Sequence, residues 1–160
     1  MSFFSNLFSR YLYKMKKYIL CFCIIFWSGL VAGISFLEAP LKFRAPGITI
    51  PLGLGIGQLV FQALNKIEIV LLVLILICTY QTSLKNLKGL LLFFITILLL
   101  TDTFWLLPLL DERAKLVLDG KPITESFHHI LYIVIESFKF ILLVILGFLN
   151  LKDLSHENRH

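Results

Sequence analysis

Between Tyr18 and Leu37 the chain carries no charged residue, and a helix of that length just crosses a hydrocarbon core about 30 Å thick. A run of this kind has few stable resting places other than a bilayer. Long apolar runs, each with one or two charged residues inside, recur three more times, at about 54–80, 89–110 and 127–149. The chain of 160 residues is 58% hydrophobic and holds fifteen phenylalanines, above the apolar share of ordinary soluble domains. Alternating ten-residue segments separated by turns, the mark of a transmembrane barrel, are absent from the sequence. The fold expected is all-α: one membrane domain, 1–160, with four transmembrane helices in a bundle.

Residues 2–17 differ in pattern. Phe3, Phe4, Leu7, Phe8, Tyr11, Leu12 and Met15 fall at helical spacing, with Ser5, Ser9, Arg10, Lys14 and Lys17 opposite, which predicts an amphipathic helix lying in the interface before the first span. The small residues Val31, Ala32 and Gly33 could end a signal peptide, yet the apolar run continues past them to Leu37, which favours a retained span. Thr49 is placed to cap a second helix with Pro51 in its first turn. The short polar stretch 81–88 makes the second and third spans antiparallel neighbours. Residues 111–126 read as a loop with at most one helical turn, broken between Asp119 and Pro122. The tail from Asn150 reads as polar and frayed.

Lys and Arg outside the spans divide unevenly. Arg10, Lys14, Lys16, Lys17, Lys85, Lys88, Lys152 and Arg159 fall on one side, and Lys42, Arg44, Arg113, Lys115 and Lys121 on the other. Both termini are therefore expected in the cytoplasm, and the location expected is a bacterial inner membrane. The net charge of +5 is explained by these flanking bases and gives no reason to invoke nucleic acid. The three cysteines, Cys21, Cys23 and Cys78, all lie in apolar runs and read as small hydrophobes.

Ionisable groups inside the spans are the functional candidates, since each costs roughly 2.5–3.5 kcal/mol to insert at a helix centre. Gln58, Gln62, Asn65 and Glu68 share one face of the second helix, with Lys66 beside it. His129, Tyr132, Glu136 and Lys139 share one face of the fourth. Asp102 stands between Thr101 and Thr103 in the third, and the first offers Ser28, Ser35 and Glu38. By position in their spans the acids are expected in the outer half of the membrane. Glu38, Asn65, Glu68, Asp102, His129, Glu136 and Lys139 are thus expected to form a polar chamber. Pro40 should end the first helix, and Lys42 and Arg44 should fold back as a lid, with Pro46 and Gly47 turning the chain. The same polarity also suits interhelical bonding alone, at about 0.6 kcal/mol per bond, and Glu136 could simply pair with Lys139 three residues on. His129 with Glu68 and Glu136 is the metal-ligand set that the residues allow, although His128 and His129 diverge by about 100° and cannot share one ion. No catalytic or nucleotide-binding signature occurs in the sequence.

The stretch from Phe36 to Glu68, with Ala39 and Pro40 closing a span and Phe61, Asn65 and Glu68 in the next, resembles small four-helix bacterial integral membrane proteins without assigned activity. The resemblance reaches about half the chain. It implies a fold and a membrane location, and no chemistry.

The function expected is non-enzymatic: a chamber that binds or conducts a cation or proton, serving transport, in a homo-oligomer or as a small subunit of a larger membrane complex. A membrane enzyme, or a protein binding a metal, quinone or haem cofactor, is the second class, and a structural or assembly factor the third. The residues name no cofactor.

Overall fold

The computed structural model describes residues 2–80, 87–120 and 127–157; the side chains at 2–7, 9 and 157 also fall outside the described set. Four helical spans form an antiparallel bundle: 10–44, 50–79, 87–118 and 127–156. All four are long and apolar enough to cross a membrane, which is the make-up of a membrane protein. The helices are apolar around most of their circumference, so Phe22, Leu59, Ile77, Phe93 and Phe148 stay exposed on the outside of the bundle. Water would oppose that arrangement and lipid does not.

The first span comprises α1 (Ser2–Val31), a π-helical stretch (Ala32–Glu38), a single α-turn, α2 (Ala39–Leu41), and a 3-10 turn (Lys42–Arg44). The segment expected to lie in the interface is the beginning of α1, because no helix breaker stands between Lys17 and Tyr18. Pro40 does not end this helix, contrary to the sequence expectation. A proline has no N–H for the bond to the residue four back, and its ring collides with that carbonyl; the wide π turn before it, with the Ala39 N–H bonded to the Ile34 carbonyl, absorbs the mismatch. The chain then reverses at Pro46 and Gly47, whose φ of 79° suits glycine.

The second span is α3 (Ile50–Thr79), with the Thr49 hydroxyl accepting the Leu52 N–H at 3.4 Å and Pro51 in the first turn. The third repeats the device of the first: α4 (Leu87–Thr101), a π stretch (Asp102–Leu106) and α5 (Leu107–Leu118), with Pro108 just after the stretch. Residues 111–118, expected in a loop, are therefore helical, and α5 ends at Asp119 and Gly120, the latter with φ of 77°. The fourth span, α6 (Phe127–Glu157), also outruns its expected limit. Asn150 donates to the Leu146 carbonyl, and Lys88 bonds both Asn150 and Asp153, so 150–157 continues the helix instead of fraying. The connections 81–86 and 121–126, with Lys85, Lys121 and Pro122, and the end with Arg159 lie outside the described residues.

"Upper" denotes the end of the bundle at the 42–49 connection. The lower part is filled by an apolar core of Ile24, Trp27, Leu72, Ile75, Ile95, Leu99 and Leu143. A smaller cluster, Leu106, Leu107 and Tyr132, lies above it. The polar groups are held between these two.

Candidate functional site

One lysine from α6 is wholly enclosed. Lys139 has 0% exposure, and its ammonium meets carboxylates from three spans. Nζ lies 2.9 Å and 3.0 Å from the two oxygens of Glu68, 3.1 Å from Asp102 Oδ2 and 2.5 Å from Glu136 Oε1. Glu68, Asp102 and Glu136 are each 1% exposed. The first span closes the ring: Trp27 Nε1–H donates to Glu68 Oε1 at 2.7 Å, and the Ser35 hydroxyl donates to Glu136 Oε2 at 3.0 Å. All four spans thus end on one hydrogen-bonded group.

Local structure explains why these side chains arrive together. Glu136 and Lys139, three residues apart, face one way on α6, so the pairing foreseen within one helix exists and is extended by two further acids. Asp102 opens the π stretch of the third span, its carbonyl accepting the Leu107 N–H. Side-chain bonds lock the neighbouring helices above it: Asn65 Nδ2 donates to Thr103 Oγ1 at 2.9 Å, and Gln62 Nε2 to Asp111 Oδ2 at 2.6 Å.

The charges do not balance. Three carboxylates and one ammonium sum to −2, a charge that low-dielectric surroundings do not tolerate without protons or counter-cations. Asp102 Oδ1 is buried with no hydrogen-bond partner among the described residues. Ten positions separate Trp27 from Lys17 and eleven separate it from Glu38, or about 15 Å each way at helical rise. Along the first span, Trp27 therefore stands about midway between Lys17 and Glu38.

Above Glu136 opens a cavity of about 470 Å³ between the upper parts of all four spans. Phe36, Phe43, Phe61 and Tyr132 supply rings to its wall, and Ser35, Lys42, Asp111, His129 and Glu136 supply polar groups. Lys42 bonds Glu38 at 3.3 Å, its side chain 9% exposed, and its ammonium stands 4.9 Å from the Phe61 ring centre and 5.7 Å from that of Phe43.

The candidates from the sequence separate into groups. Glu68, Asp102, Glu136 and Lys139 meet. Asn65 lies one turn above Glu68 and bonds Thr103 rather than the cluster. Glu38, Pro40, Lys42 and His129 belong to the cavity region, and Arg44 is exposed and lines nothing there. His129 with Glu68 and Glu136 does not make a ligand set: among the described residues no three His, Cys, Asp or Glu are placed to hold a metal. Trp27 and Asp111 went unforeseen. A tryptophan in an apolar span reads as packing, and Asp111 was expected in a loop.

Comparison of the chain with protein-family models, with curated proteins and with solved structures finds no match.

Proposed function

We propose that this protein is a non-enzymatic inner-membrane protein that binds or conducts protons through the Lys139 cluster. The observation that carries the reading is the enclosure of three carboxyls with one ammonium, all with almost no exposure, a formal charge of −2 were every group ionised. Counter-charge must come from a cation or from protons bound to the carboxyls. The position that a metal cation would take at the centre of the acids is filled by the Lys139 ammonium, which leaves the proton as the exchangeable ion. Infrared difference spectra of the purified protein between acid and alkaline buffer test this. A carboxylic-acid carbonyl band should disappear on raising the pH and should shrink in Asp102→Asn. Identical spectra from the two proteins, with no carboxylic-acid band, would overturn the reading.

The excess of Lys and Arg at the ends of the chain and within residues 81–88 supports a bacterial inner-membrane location with both termini in the cytoplasm. Lys66 supports an assembly of more than one chain. It stands two positions above Glu68, about 3 Å at helical rise, yet it faces outward and is exposed. Among the described residues it makes no hydrogen bond or ion pair. A lone ammonium facing lipid at that depth is costly, and an acid or carbonyl from a neighbouring copy or subunit would remove the cost. Native mass spectrometry from nanodiscs should give a mass above the 18.4 kDa of one chain, falling to one chain in Lys66→Leu. A single chain in both would mean that Lys66 reaches the headgroups instead, and would end the assembly reading.

A further inference from the structure

We propose that the cavity above Glu136 is a binding site for a lipophilic organic cation. The inference does not require proton exchange at Lys139, which lies below the cavity floor.

Size and access come first. A volume of about 470 Å³ lies within the range of small-molecule sites, about 300–1,000 Å³. The first span lines the space from its π stretch, Ala32–Glu38, onward, and glycine at two places on the facing wall of α3 lets Phe43 and Lys42 of that span pack close against the helix. A β-carbon on Gly53 would overlap the Phe43 ring, and one on Gly57 would fall 2.8 Å from Lys42 Nζ. Phe36 and Ile133 line the cavity from the first and fourth spans, and both are exposed on the bundle surface.

The walls then select the charge. Four aromatic residues and the acid Asp111 line the space, and aromatic rings together with a carboxylate are the surroundings in which an organic cation is stable outside water. The lining cation, Lys42, already has Glu38 as its counter-ion and offers an anion little. Its ammonium over the Phe61 ring demonstrates the preference with a group of this chain's own. Asp111 keeps a second carboxylate oxygen beyond the one that accepts from Gln62.

Two ions of one shape and opposite charge provide the test. The full chain in zwitterionic nanodiscs is titrated with tetraphenylphosphonium and, separately, with tetraphenylborate, using empty nanodiscs as the blank. The phosphonium should bind saturably at one per chain, and the borate no more than to the blank. Asp111→Asn retains an acceptor for Gln62 and removes the charge, and should weaken the phosphonium by roughly tenfold; Gly57→Leu, which fills the wall, should abolish binding. Circular dichroism confirms that each variant is folded. Equal binding of the two ions, phosphonium uptake no greater than the blank, or unchanged affinity in both folded variants would overturn the proposal.

Discussion

Lys139→Met should cost the folded protein about 3–5 kcal/mol, the range found when one partner of a buried ion pair is removed. The substitution keeps length and apolar volume, so the loss reports charge. It leaves Glu68, Asp102 and Glu136 facing one another with no cation among the groups that now bond Lys139. Reversible unfolding in mixed micelles measures it. The loss should shrink as pH falls, because a protonated carboxyl needs no counter-charge, and it should largely vanish when Glu68→Gln, Asp102→Asn and Glu136→Gln are added together. A Lys139→Met protein as stable as the parent at every pH would mean that the three acids carry no charge for the ammonium to balance.

Trp27→Ala should cost a similar amount, about 3–5 kcal/mol, for a different reason. Trp27 is 0% exposed and packs in the same core as Ile24, Val31, Leu72 and Leu143, so its removal leaves a void that lipid cannot enter. Trp27→Phe separates the two roles of the side chain. It keeps most of the ring and loses the N–H that bonds Glu68, and should cost about 1.5–3 kcal/mol, as expected for a hydrogen bond to a charged acceptor. The same unfolding measurement applies. Equal losses for Phe and Ala would assign the whole effect to the hydrogen bond, and no loss for Phe would show that Lys139 alone suffices to hold the Glu68 carboxylate.

The four spans were legible in the sequence because a bilayer imposes a length and a polarity that few other folds share. The one-face spacing of Asn65 with Glu68 and of Glu136 with Lys139 was legible for a related reason: helical periodicity survives any packing. Three other features depend on contacts between distant residues. The continuation of α6 to Glu157 depends on Lys88, which meets Asn150 and Asp153 from another helix. Trp27 becomes a hydrogen-bond donor only because Glu68 is opposite it. Pro40 looked like a helix end, and in this fold Pro40 and Pro108 each follow a π stretch that lets the helix carry on. That adjustment involves backbone geometry, for which no residue type is a reliable sign.

Those two stretches also change how the spans must be indexed. A turn holding an additional residue shifts the angular phase of everything beyond it, so one helical wheel drawn along the third span misassigns either its lower or its upper part. Asp102 and Asp111 belong to wheels with different origins, and so do Trp27 and Lys42 in the first span. A cysteine-accessibility scan of either span should therefore show a periodicity that jumps at 102–106 or at 32–38 and is regular on both sides of the jump.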